Sequence, residues 1–146
     1  MKMTKEEYKE YSERHSPRSK PLRNLLRAFL VGGTICLLGQ SITQGLTALG
    51  LDKASAGTGC SISLIFLGAL LTGLGIYDDI AKFAGAGTLV PITGFANSVV
   101  APALEFKTEG FILGVAAKMF IISGPVIVYG ISSGFIYGLL LLLFGA

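Results

Sequence analysis

Residues 28–51, 54–77, 83–104 and 119–146 contain no Asp, Glu, Lys, Arg or His, so uncharged runs of 24, 24, 22 and 28 residues fill most of a 146-residue chain. A helix needs about 20 apolar residues to cross a bilayer core. In hydrocarbon each backbone N–H and C=O must find its partner inside the protein, which favours helices. The expected fold class is therefore all-α: a polytopic integral membrane protein with four to five membrane segments, one of them broken or re-entrant. Charged residues make up 14% of the chain, against about 25% in an ordinary soluble domain, and the mean hydropathy is +0.67.

Charge is unevenly distributed. The first 27 residues carry eight Lys or Arg and four Glu, a net +4, whereas the remainder is net −1. A basic segment beside the first apolar run is held on the cytoplasmic side by the positive-inside rule and meets anionic headgroups. Membrane lipids are thus expected partners, with Arg23 and Arg27, one turn apart, placed to snorkel. Nucleic acid is not expected, because glutamates interleave with the cations and no aromatic–basic platform accompanies them. The expected organisation is a leader, 1–26, with a short helix opened by the capping-box pair Thr4 and Glu7. A membrane domain, 27–146, follows, with spans near 27–50, 58–77, 111–123 and 125–145 and a broken segment at 83–104. The leader is too long, and the run after it too extended, for a cleavable signal peptide.

The broken segment carries the main functional signal. Gly85, Gly87, Pro91, Gly94 and Pro102 keep a membrane-length stretch from being one regular helix, and Gly124 with Pro125 marks a second break further on. Irregular backbone at membrane depth survives only where protein or a water-filled cavity covers it, and transporters use such breaks to meet solutes. Thr88, Thr93, Asn97 and Ser98 are the side chains this segment offers, to a pore or to neighbouring helices as packing hydrogen bonds. Lys118 is a lone cation in apolar sequence; it either snorkels to an interface or pairs with a carboxylate or an anionic solute. Asp78, Asp79 and Glu105 are charged candidates for a pore mouth, or members of ordinary interfacial turns.

The first run also holds Gln40, Ser41, Thr43 and Gln44 among its small residues, polar groups that need partners in a bundle. Cys36 and Cys60 lie in apolar runs without metal-ligand or redox spacing and read as buried small hydrophobes. Gly85-Ala-Gly87 lacks the rest of a dinucleotide or Walker signature. No Ser/His/Asp, Cys/His or metal-ligand constellation is present. The chain is therefore not expected to be an enzyme, to use a cofactor or to bind a structural metal.

Gly85-Ala-Gly-Thr-Leu-Val-Pro-Ile-Thr-Gly-Phe-Ala-Asn-Ser98, Ala101-Pro-Ala-Leu-Glu-Phe-Lys107 and Ala117-Lys-Met-Phe120, followed by Gly124-Pro-Val-Ile-Val-Tyr-Gly130, resemble the stage V sporulation protein A family over essentially all of residues 28–146. Of the two similar small membrane subunit types, the polar leader resembles the AC type and not the AE-b type. The resemblance implies residence in the inner membrane of the forespore. It also implies a hetero-oligomeric channel that takes up dipicolinic acid, with calcium, and releases it on germination. Implied partners are the AE-b-type membrane subunit and the soluble, dipicolinate-binding AD-type subunit, and mechanosensitive gating is described for AC-type members. The alternative is a scaffold that docks the soluble partner through its leader while another subunit conducts.

Overall fold

The computed structural model describes residues 4–15 and 20–145. Among these residues the chain is helical and contains no strand. The first helix, α1 (Lys5–His15), opens with the expected capping box: the Thr4 amide donates to Glu7 Oε2 at 2.8 Å and the Glu7 amide to Thr4 Oγ1 at 3.3 Å. Hydrogen bonds from the Thr4 amide and then the Thr4 side chain hold the Glu7 carboxyl below its usual range. Arg14 pairs with Glu10 at 2.6 Å, one turn apart. The connection through residues 16–19 lies outside the described residues.

Helix starts are set by caps and not by hydropathy. The second helix, α2 (Pro21–Ala48), begins six residues before the expected span, because Pro21 occupies the first turn, where its fixed φ suits a helix and its missing N–H costs nothing. The third, α3 (Lys53–Gly73), begins at Asp52. The Asp52 carboxylate accepts from the amides of Ala54 (3.0 Å) and Ser55 (3.2 Å), and hydrogen bonding from Ser55 lowers its pKa.

At Gly75 (φ 75°) the chain turns into α4 (Ile76–Ala84), a short amphipathic helix that buries Tyr77 and Ala84 and exposes Asp78, Asp79 and Lys82. The expected span to residue 77 is thus two elements. Gly85, at φ 54°, reverses the chain into a tight 3₁₀ turn, Gly85–Thr88, before α5 (Pro91–Glu105) starts with a second first-turn proline. Here the expected break is present, but Gly94 and Pro102 lie within α5. Pro102 forfeits one hydrogen bond near the end of the helix without stopping it. At 15 residues, α5 is about 22 Å long, short of the roughly 30 Å hydrocarbon core.

After a second 3₁₀ turn, Lys107–Glu109, the chain enters a π-helical turn, Phe111–Ala116, and then α6 (Phe120–Phe144). The structure corrects the expected pair of segments at 111–123 and 125–145: helix continues through Gly124 and Pro125, and Phe111–Phe144 forms one candidate span of 34 residues. A proline inside a membrane helix removes one donor without having to end the helix. Among the described residues three helices are long and apolar enough to cross a membrane: Pro21–Ala48, Lys53–Gly73 and Phe111–Phe144.

The core is a stripe on α3, Ala56, Cys60, Leu64 and Gly68, spaced by four residues on one face. Cys60 Sγ donates to the Gly39 carbonyl of α2 at 3.2 Å, while Gly68 packs against Thr93 and Ala96 of α5. Cys36, by contrast, is exposed. A close backbone approach joins α2 to the broken turn: a Cβ on Gly87 would sit 2.5 Å from the Ala28 carbonyl oxygen and 2.8 Å from its Cα. Gly87→Leu should therefore destabilise the purified protein by about 1–3 kcal/mol, an overpacking cost, lowering its melting temperature in detergent. Gly33→Leu, where nothing lies within 4 Å, should leave the melting temperature near the parent value.

Candidate functional site

The break between α4 and α5 leaves backbone carbonyls without helical partners, and the side chains of Tyr77 and Thr88 satisfy two of them. Tyr77, 4% exposed, extends from α4 beneath the turn. Its hydroxyl donates to the Thr88 carbonyl at 3.0 Å and lies 3.4 Å from Thr93 Oγ1. Thr88 Oγ1 donates to the Gly85 carbonyl at 3.0 Å, closing the turn on itself. One turn further along α5, the Thr72 hydroxyl of α3 is shared between the Gly68 carbonyl (2.7 Å) and Asn97 Oδ1 (2.9 Å). Among the described residues no buried side-chain nitrogen or oxygen lacks a partner. This polar seam ties α3, α4, the broken turn and α5 together. Its contacts advance along α3 and α5 in the same direction, Gly68 beside Thr93 and Ala96, then Thr72 beside Asn97.

The other candidates are scattered around this seam. Thr88 and Thr93 are each 6% exposed and spend their hydroxyls inside the protein. Asn97 and Ser98 are partly buried, and Ser98 Oγ donates to the Phe95 carbonyl at 2.8 Å. Gly85, Gly87 and Pro91 sit at the break itself. Glu105 is exposed at the end of α5. Asp78 and Asp79 are exposed and hold Lys82 at 2.6 and 3.5 Å. The hydrogen bond and charge of Asp78 raise the Lys82 pKa. Lys118, partly buried between the π turn and α6, places its ammonium 4.3 Å from the centre of the Phe106 ring. Among the described residues its neighbours supply a cation–π contact and no salt bridge.

A second polar feature lies elsewhere. Gln40, Thr43, Gln44 and Thr47 line an open cleft of about 430 Å³ on the last third of α2, with Lys53 at its end. The threonines bond back to carbonyls on their own helix, Thr43 to Gly39 and Thr47 to Thr43, both at 2.9 Å. Gln40 and Gln44 are exposed on a candidate membrane span, and no hydrogen bond to either amide is found among the described residues. Their signal in the sequence is two amides four residues apart in an uncharged run. The broken segment, with its conspicuous glycines and prolines, outweighed it. No three His, Cys, Asp or Glu side chains converge among the described residues.

Residues 24–140 match the SpoVAC/SpoVAEB sporulation membrane protein family. The chain belongs to that family. It is also 45% identical to stage V sporulation protein AC of Bacillus subtilis (strain 168) over 137 residues, which cover 93% of this chain and 91% of that one. No solved structure matches the chain. The region shared with the sporulation membrane family takes in the seam, the broken turn, Lys118 and the polar cleft of α2, and leaves α1 outside it. The match supports the family and the AC-type resemblance together.

The seam predicts a graded response to substitution. Tyr77→Phe strands the Thr88 carbonyl in an apolar setting and should cost about 1–3 kcal/mol. Thr93→Val, which touches only the 3.4 Å contact, should cost less. Unfolding of the purified variants in detergent ranks them.

Proposed function

We propose that this sporulation membrane protein is a subunit of a channel in the forespore inner membrane that passes dipicolinic acid, with calcium, into the spore core and out again on germination. The observation that carries the reading is the pair of unpartnered amides, Gln40 and Gln44, on a helix long and apolar enough to cross the bilayer. An amide facing lipid loses several kcal/mol of hydrogen bonding. The arrangement makes sense when that face meets water or another subunit. Dipicolinate is a planar dianion, and its route needs dipoles and sparse charge. The amides of α2 supply donors, and Lys53 supplies a cation at the cleft's end.

Three candidate spans are too few to enclose a wide pore, so the route runs between subunits. AE-b-type membrane chains and the soluble AD-type protein are the partners this reading calls for. On the other flank, α4, the Gly85–Thr88 turn and α5 form a re-entrant hairpin. Support comes from the shortness of α5 and from its contacts, which run alongside α3 back toward the end where α4 began. Lys118 then stands at the mouth where α5 gives way to the last span.

The test is flux. Chains carrying Gln40→Leu and Gln44→Leu, reconstituted with the partner subunits in vesicles loaded with calcium dipicolinate, should assemble normally and release dipicolinate several-fold more slowly than the parent. Normal assembly with unchanged release would remove α2 from the pathway and favour the scaffold role.

A further inference from the structure

The start of α2 and the end of α4 enclose a pocket of about 400 Å³, lined by Asn24, Arg27, Lys82 and Phe83 and by the backbone at Gly85 and Ala86. Arg27 is partly buried and stacks 4.5 Å from the centre of the Phe83 ring. No salt bridge to a carboxylate is found for it among the described residues. Lys82 is already engaged by Asp78 at 2.6 Å and Asp79 at 3.5 Å. Arg27 is therefore the pocket's uncompensated cation, with the Asn24 amide beside it. Lys20 and Arg23 add positive charge to the same end of the helix.

Deeper along α2 lies a second cavity of about 400 Å³, an apolar groove between α2 and α3 whose walls include Val31, Ile35, Leu38, Leu64, Leu67 and Leu71. The two cavities share one face of α2. Asn24, Ala28, Val31, Ile35 and Leu38 follow one another at steps of three and four residues, the spacing of a single helical stripe. From Arg27 to Leu38 the stripe runs about 16 Å, close to half of a roughly 30 Å hydrocarbon core. A cationic pocket at the basic, headgroup end thus sits above an apolar slot that runs about 10 Å along α2, from Val31 to Leu38, room for the upper part of an acyl chain, an arrangement in which basic sites between membrane helices hold anionic lipids.

We propose that this composite site binds one anionic phospholipid, its phosphate against Arg27 and Asn24 and an acyl chain in the α2–α3 groove. A charge-assisted guanidinium–phosphate contact fits the pocket. The groove gives an amphiphile an advantage that a free phosphate lacks.

The full chain, purified in neutral detergent, tests this by native mass spectrometry and thermal shift with phosphatidylglycerol, phosphatidylcholine or inorganic phosphate. Phosphatidylglycerol should be retained at one per chain and raise the melting temperature, phosphatidylcholine should bind about tenfold more weakly, and inorganic phosphate should do neither. Arg27→Gln should lower phosphatidylglycerol affinity about tenfold. Val31→Trp, which fills the groove, should lower it without touching the charge. Should Arg27→Gln fail to fold, Asn24→Leu carries the same comparison. Equal retention of the two lipids, stabilisation by inorganic phosphate alone, or undiminished lipid binding by the Arg27 or Asn24 variant would overturn the proposal.

Discussion

A backbone that leaves the helical ladder within a membrane protein must find other partners for its carbonyls and amides, and this chain meets that demand largely with one phenol. Tyr77 reaches from α4 to the Thr88 carbonyl at 3.0 Å, in a place where it is 4% exposed. Without that donor the break between α4 and α5 would strand a buried acceptor, at a cost of about 1–3 kcal/mol. The position of α5 follows. Once the turn at Gly85 is held, Thr93 and Ala96 settle on Gly68 of α3, and Asn97 meets Thr72.

Close packing of small residues does the rest. The turn passes so near α2 that Gly87 faces the Ala28 backbone with no room for a side chain, and Cys60 reaches the Gly39 carbonyl at 3.2 Å. Lipid chains are as apolar as leucine, so helices in a bilayer gain by fit and by hydrogen bonds more than by burial of oily surface. That explains why large side chains such as Phe29, Leu37 and Phe66 stay exposed on the outer faces while glycine, alanine, threonine and cysteine occupy the joints. Membership of the sporulation membrane family is carried by the same region, residues 24–140.

Much of this was legible in the residues. The all-helical class and membrane character follow from the uncharged runs, the α1 capping box from Thr4 and Glu7, and the break from Gly85 to Pro91. The missing parts have physical causes. Pro21 and Asp52 start helices ahead of the apolar runs because capping is local chemistry that hydropathy averages away. Pro125 signalled a stop, yet a membrane helix can lose one donor without ending. The role of Tyr77 was not legible, because its partner lies eleven residues on, across a turn whose geometry depends on the fold. Thr88 and Thr93 were legible as polar groups near a break, but their burial was not.

The hairpin reading of α4 and α5 is tested most directly by the sidedness of single cysteines. In a background with Cys36→Ala and Cys60→Ser, an impermeant maleimide would be applied to oriented vesicles carrying Asp79→Cys, Lys107→Cys or Asp52→Cys. If the chain re-enters and returns, Asp79→Cys and Lys107→Cys label from one side and Asp52→Cys from the other. Labelling of Asp79→Cys and Lys107→Cys from opposite sides would mean that residues 83–104 cross the membrane, contradicting the hairpin.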